Sequence, residues 1–501
     1  LSSDDKTVAV EHYCGDSVGN VIIPQTVRFD DEYAVKEIKG SAFYCCSGLS
    51  SIIIPDGVTS IGYSAFMLCS GLTSIHIPKS VTSIKSDAFS YCDGVTSITV
   101  DPQNPVFDSR EDCNAIVETA TNTLFTGCKN TVIPKNVTKI GSCAFCGCTG
   151  LTAVTIPDGI TSIEFYAFRG CNGLISIDIP QSVTSIMEYA FMFCEGLVSV
   201  NIPEGITSIE NNAFYGCSAL TSVRIPSSVS NIETEAFGGC SSLASIVVDP
   251  ANTKYDSRKK CNAIIETASN TLIAGCKNTV IPKGVTCIGP SAFYSCSDLS
   301  KVTIPDGVTK IWYEAFRGCS SLKKINIPSS VTEIGPSAFY DCDGLTVITV
   351  DKKNITFDSR EKCNAIIETA SNTLIQGCKK TVIPKSVEKI GPKAFARISG
   401  LTSIIIPDGV TGIRYNAFES CSDLASITIP SSVTGIEFGV FANCKNLTQV
   451  VSKIEKPFGF ELNPFRDISD NCDLTIPAGT RNAYIAAGWT EDIFKGGIVE
   501  K

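Results

Sequence analysis

Cysteine is the residue with most chemistry to offer in this chain. There are 25 of them, each a potential nucleophile, metal ligand or disulfide half. Their spacing argues for a quieter role. Thirteen, among them Cys69, Cys171, Cys217 and Cys421, fall at one recurring place, three residues after a Phe, and the fourteenth instance of that place holds Ile398. A site that accepts Ile is buried, apolar and of modest volume, and free Cys packs well there. A nucleophilic Cys also needs a base beside it. No His or Lys recurs next to these positions, and the two histidines, His12 and His76, lie far apart. Cys143-Ala-Phe-Cys146 has CxxC spacing. Cys146 is a single variation in a repeat, however, and nothing in the sequence pairs with it. No second CxxC stands at a zinc-site spacing.

Six further cysteines form three pairs. Cys113 and Cys128 lie symmetrically about Ala120-Thr121, and Cys261/Cys276 and Cys363/Cys378 repeat the symmetry. If each bend were a two-residue hairpin loop, the pairs would stand directly cross-strand, close enough for a disulfide. A longer loop with a bulge would shift the register and leave buried thiols. Near each pair is an Asp-x-x-Asn-x-x-x-Asp triplet: Asp101/Asn104/Asp108, Asp249/Asn252/Asp256 and Asp351/Asn354/Asp358. Such oxygens can ligate calcium. They equally form turns in which the side chains bond to nearby backbone, the reading taken here. No phosphate loop, HExxH or paired-carboxylate motif occurs. The expectation is a non-enzymatic chain without cofactor or resident metal.

These residues are positioned by a repeat of 23. Leu49–Gly71, LSSIIIPDGVTSIGYSAFMLCSG, returns at once as Leu72–Gly94, LTSIHIPKSVTSIKSDAFSYCDG. The frame is Leu-x-x-Ile-x-Ile-Pro-x-x-Val-x-x-Ile-x-x-x-Ala-Phe-x-x-Cys-x-x. A fixed period of this length signals a solenoid. Ile-x-Ile has period 2 and reads as a strand. Pro-Asp-Gly or Pro-Ser-Ser turns the chain, Val-x-x-Ile is a second short extended piece, and Ala-Phe-x-x-Cys is one helical or 3₁₀ turn. One unit cannot stand alone. Its eight apolar positions each contribute about 1.5–3 kcal/mol when buried, against ~1–2 kcal/mol of backbone entropy for every residue ordered. Stacked units share their apolar faces and form one elongated body.

Composition narrows the function. Apolar residues are 43% and charged residues 18%, so the chain folds rather than remaining disordered. A net charge of −10 with no basic stripe argues against nucleic acid. No apolar run is long enough for a transmembrane segment. Leu1–Lys6 carries neither a basic nor an apolar export region. The chain is therefore cytosolic, or it starts after an export signal that has been removed.

In order, residues 1–48 form an N-terminal cap and an atypical first repeat, with Arg28–Val35 as extra chain and TVAVEHY as a strand on the sheet edge. Residues 49–446 form the solenoid. It holds three enlarged cassettes at about 101–133, 249–281 and 351–383. Each lengthens the Phe-to-Phe spacing from 23 to 56, as from Phe89 to Phe145. Their CNAIIET and NTLIAGC runs, or close variants, read as two strands of a hairpin. Residues 447–501 form a C-terminal cap with a strand at Leu474–Pro477, a short helix at Arg481–Gly488, and Trp489 and Ile493 as cover.

The frame IPxxVxxIxxxAFxxC, with the closing TIPAGTRNAYIAAGW and the CNAIIETASNTLIAGC cassette, resembles the BspA-like class of leucine-rich repeats. The resemblance spans about residues 36–450. It implies a right-handed, curved leucine-rich-repeat solenoid, rich in β-structure, displayed outside the cell on a bacterial surface. It also implies a protein or glycan partner, such as host matrix or another bacterial surface. The alternative is a structural spacer or envelope-assembly module.

Two rows of side chains are candidates for meeting that partner. The residue between the two strand isoleucines points outward, and its polar run is Asp178, Asn201 and Arg224. The residue after Ala-Phe includes Arg169, Met192 and Tyr215, with Tyr166, Tyr189, Tyr63, Tyr313 and Tyr415 close by. Tyr and Arg are the types that dominate binding energy at interfaces. An aromatic–Arg belt of this kind suits a protein or a glycan.

Overall fold

The computed structural model describes residues 7–11 and 19–501. His12, Cys14 and the rest of residues 12–18 lie outside them, as do residues 1–6. The protein is a β-solenoid built on the 23-residue spacing, and its one α-helix among the described residues is Arg481–Ala486. It divides into two compact units, Leu1–Asp256 and Ser257–Lys501. The division falls within the second cassette.

Both extended pieces of the repeat form parallel ladders. On the first, Ser74–Ile77 pairs with Ser97–Val100, and Ser176–Asp178, Ser199–Asn201, Ser222–Ile225 and Ser245–Val248 pair in succession. This ladder is broken after the first two cassettes, where Leu151–Pro157 and Lys301–Pro305 are not strands. The second ladder, from Val-x-x-Ile, is only two residues wide but runs further. Ile140, Ile163, Ile186, Ile209 and Ile232 follow one another, all buried.

The cassette hairpin joins that second ladder. Ala115–Glu118 and Thr123–Gly127 are antiparallel, and Leu124 then lies parallel to Ile140. Leu272 on Ile288 and Leu374 on Ile390 repeat this in the second unit. Asn122, Asn270 and Asn372 close the bends at φ of about 50°, a conformation Asn tolerates.

The Ala-Phe-x-x-Cys segment is a stack of hydrogen-bonded turns rather than a helix. The i to i+3 bonds of a 3₁₀ turn are present, as in Tyr44 N–H to Ser41 O at 3.1 Å. The residue before Ala and the residue two after Phe mostly have positive φ, for example Ser64 at 55° and Leu68 at 66°. Helix cannot propagate through them. The alternation turns amides toward the next repeat instead: Phe191 donates to Ala213 O at 2.8 Å and Phe193 to Tyr215 O at 2.7 Å.

That ladder stacks the Phe rings. Phe145, Phe168, Phe191, Phe214 and Phe237 lie 5.0–5.5 Å apart, within 4° of parallel. Phe293, Phe316 and Phe339 form a column in the second unit, and Phe395, Phe418, Phe441 and Phe465 another. Each column that follows a cassette starts on a glycine. Gly127 donates to Ala144 O, the bond a Phe amide would make, and a Cβ there would meet Phe145 Cε1 at 2.3 Å. Gly275 and Gly377 cover Phe293 and Phe395 in the same way, at 2.1 Å.

At the N-terminal end Thr7–Val10 lies parallel to Glu32–Ile38, which also pairs antiparallel with Thr26–Arg28. At the other end Trp489 and Tyr484 are fully buried. Phe465 continues the ring column into that cluster. A strand not expected from the sequence, Gly497–Glu500, pairs with Asp473–Ile476.

Candidate ligand-binding face

The ladder cysteines are buried thiols with a defined job. Cys194 donates to Phe168 O at 3.0 Å, Cys217 to Phe191 O at 3.2 Å and Cys444 to Phe418 O at 3.1 Å. Each thiol thus bonds to a carbonyl of the preceding turn. Burial is the largest cause that pushes Cys194, Cys240 and Cys444 up to about 12. Such thiols are poor nucleophiles.

Of the two arrangements open to the cassette cysteines, the structure has the buried thiols. Every described cysteine is a free thiol. The reason is a bulge. Glu118 faces Thr123 and Val117 faces Leu124, but Ile116 faces Thr126 and Ala115 faces Gly127. The one-residue shift at Phe125 places Cys128 against Asn114, whose carbonyl it meets at 3.5 Å, while Cys113 points to Ala115 O. A shift of one residue sends the two side chains to opposite faces. Cys363 and Cys378 accordingly sit in different core clusters. Cys276 likewise bonds to Asn262 O, and Cys261 to Ala263 O.

The Asp/Asn triplets are occupied by the protein itself. Asn104 Nδ2 donates to Pro78 O and Val81 O, and its Oδ1 accepts from Val106 and Phe107 N–H. Asp101 accepts from Gln103 N–H, and Asp108 holds Arg110 through both oxygens. Asn354, Asp351 and Asp358 repeat the arrangement. Among the described residues no group of three or more metal-ligating side chains occurs. His76 bonds to Thr99 Oγ1 at 3.0 Å.

The outward row on the first ladder is exposed. Asp178 faces Asn201 in register, and Arg224 follows one strand on, its guanidinium paired with Asp249. The second row is half-buried and packs on adjacent turns. Tyr166 and Tyr189 stack at 4.7 Å, and Arg169 lies 5.4 Å over Tyr166. Met192 is half-buried, and Tyr215 meets Phe193 edge to face. In the second unit Arg317, Lys393 and Arg397 all lie within 6 Å of the Tyr340 ring, which they bury.

A third repeat position holds exposed aromatics in both units. At the position two before the Ala of Ala-Phe, or of Val-Phe in the last instance, stand Tyr63, Phe165, Tyr313, Tyr415 and Phe438, exposed by 39–60%. Phe165 and Phe438 were missed from the sequence. The signal was available: Ile-Glu-Phe at both sites places a large aromatic between an inward Ile and the turn.

The described geometry is that of a repeat array, and sequence comparison agrees. The model of the BspA type leucine rich repeat region, in six copies, matches residues 17–111, 118–246, 269–374 and 373–456. The chain belongs to the BspA-type leucine-rich repeat family. No curated protein sequence matches it. Among solved structures it is similar to a leucine rich cell surface protein from Faecalibacterium prausnitzii, with 26% identity, 90% of this chain and 92% of that one covered, and a TM-score of 0.41. It is also similar to a leucine-rich repeat protein from Bacteroides ovatus, at 25% identity, 92% and 94% coverage and a TM-score of 0.36. A third similarity is to the pneumococcal vaccine antigen PcpA, at 16% identity, 98% and 91% coverage and a TM-score of 0.37. Among the described residues of this BspA-type chain, no helix is long and apolar enough to cross a membrane.

Proposed function

We propose that this BspA-type chain is a non-enzymatic binding protein that works outside the cell or on its surface and captures a protein or glycan. The observation that carries the reading is the exposed aromatic position of the repeat, filled in each unit. The Phe columns, Ile ladders and Cys ladder repeat almost without change. Tyr63, Phe165, Tyr313, Tyr415 and Phe438 instead stand in solvent on turns whose backbone is fixed from both sides. A spacer has no need of them, since exposed aromatics add aggregation risk without adding core. Rigid aromatics with few rotamers are efficient contacts for protein and sugar surfaces. Arg466 over Phe438 at 5.7 Å adds a cation beside one of them. Asp178, Asn201 and Arg224 supply a separate polar row.

The test is binding of the purified chain to an array of glycans and matrix proteins, followed by single substitutions. Tyr415→Ala, Phe438→Ala, Tyr215→Ala and Arg224→Ala are each measured against any ligand found. Loss of at least about tenfold in affinity on the aromatic substitutions supports the reading. Capture that none of the four changes, or no capture at all, favours the spacer or envelope-assembly role. Turnover of a screened substrate would overturn the non-enzymatic part.

A further inference from the structure

The first cassette brings together residues that the 23-residue period keeps apart. Ser90, Cys146 and Arg169 occupy the same repeat position on successive regular turns, although 56 residues separate the first two. Tyr91 N–H donates to Cys146 O at 2.8 Å, so the turn before the cassette stacks directly on the turn after it. Cys143 and Cys146 close one β-turn through a 3.0 Å bond from Cys146 N–H to Cys143 O. Such a turn holds its end Cα atoms within about 7 Å, which overlaps the ~4.4–6.8 Å span of disulfides. The two residues line one small cavity with Ser86, Ser90 and Thr126. Ser90 is 5% exposed and its hydroxyl has no conventional partner; the buried Nε of Arg169 has none either. Both are buried donors left over on the two turns that flank Cys146.

We propose that Cys143 and Cys146 are a dithiol site that reacts with a small disulfide and closes into an intramolecular disulfide. Cys143, the half-exposed member, supplies the attacking sulfur. Its thiolate forms a bond to one sulfur of the external disulfide, the external S–S bond breaks, and the first thiol leaves with a proton. The buried Cys146 thiolate then attacks the Cys143 sulfur of the mixed disulfide and expels the second thiol, again protonated. Two protein thiols are oxidised and one external disulfide is reduced to two thiols.

The surroundings suit the second step. The neighbouring Cys143 thiol is the largest cause that holds Cys146 below the usual thiol range, and Arg169, Ser90 and Tyr91 add to it against burial. Cys143 is pushed well up in the opposite sense, by Cys146 first, then by burial and by Asp87 on the preceding turn, so the first attack draws on a small thiolate fraction. Arg169 is a positioning residue here. Most ladder thiols instead donate to a Phe carbonyl of the preceding turn, as Cys171 does to Phe145 O and Cys319 to Phe293 O.

The experiment uses the full chain, freshly reduced, with oxidised glutathione as the probe, followed by acid quench, alkylation and peptide mass spectrometry. The expected product is a Cys143–Cys146 disulfide that forms before any cassette or ladder cysteine is modified. Cys146→Ala should trap glutathione on Cys143, and Cys143→Ser should abolish modification of Cys146. Both variants keep the fold, because Ala396 and Ala442 occupy the 146 position in other turns, and Ser41 and Ser64 the 143 position. Arg169→Gln should slow closure about tenfold at neutral pH and move the rate profile to higher pH, with partial rescue by Arg169→Lys. The proposal is overturned if Cys143 and Cys146 both remain alkylatable while the exposed Cys45 is glutathionylated, or if Cys146→Ala leaves no adduct on Cys143.

Discussion

Phe191→Ala probes the ring column at its centre. The ring is fully buried and lies 5.2 Å from Phe168 on one side and from Phe214 on the other. Truncating a buried Phe costs about 3–5 kcal/mol in transfer and cavity terms. Phe145 is equally central to its turn, but it stacks on Phe168 and meets Gly127 on its other side. Phe191→Ala therefore loses one more stacked ring than Phe145→Ala, a difference of ~0.5–1.5 kcal/mol. A repeat array opens locally, because each turn contacts only its neighbours. Hydrogen exchange read by mass spectrometry is the assay, peptide by peptide, with urea unfolding alongside. Protection should fall most over about 168–214 and recover within a few turns. Equal or greater loss in Phe145→Ala would refute the two-sided stacking argument. Uniform loss across the whole first unit would refute the nearest-neighbour one.

Three other outcomes are expected. Cys194 and Cys240 are pushed up to about 12 by burial, whereas an unfolded thiol ionises near ~8.5. Their contribution is full below that unfolded value and is lost progressively as pH rises toward 12; the fall in urea midpoint between about pH 7 and 10 should be shallower in Cys194→Ala/Cys240→Ala, and an identical fall would count against it. Asn354→Ala strands four backbone groups, the carbonyls of Pro328 and Val331 and the N–H groups of Thr356 and Phe357; it should cost at least about 2 kcal/mol, while calcium or a chelator leaves Tm unchanged. Alkylation of the denatured chain after mild oxidation should find Cys113, Cys128, Cys261, Cys276, Cys363 and Cys378 all free; a linked cassette pair would show the bulged register to be wrong.

The core was legible because burial follows the repeat. Ile61, Ala65, Phe66, Cys69 and Leu72 could be assigned inward from one repeat and copied along the chain, and all five are buried. Contacts that break the period could not be read. The bulge at Phe125 depends on how a four-residue bend closes, and neither Ala120 nor Thr121 declares that. The surroundings of the Cys143/Cys146 pair were hidden because a folded-out cassette makes residue 91 a neighbour of residue 146. Val-x-x-Ile gave little sign of carrying the longer ladder, since two residues show no alternation. The role of the ladder Cys as a donor was hidden because its acceptor is a backbone carbonyl on another turn. On the candidate face, Asp178, Asn201 and Arg224 were found by alternation, while Phe165 and Phe438 sit on a turn where no simple period applies.

The glycine that begins a ring column has a consequence for how such a gene can grow. Within a run of regular turns, every bond crosses to the same place one unit along, so recombination that inserts or deletes one unit leaves all remaining junctions intact. A copy spliced in directly after a cassette inherits the same tolerance only if Gly127, Gly275 or Gly377 is kept, since any side chain there collides with the first ring. Length is thus free to drift inside the runs, while the hairpins stay as fixed punctuation between them.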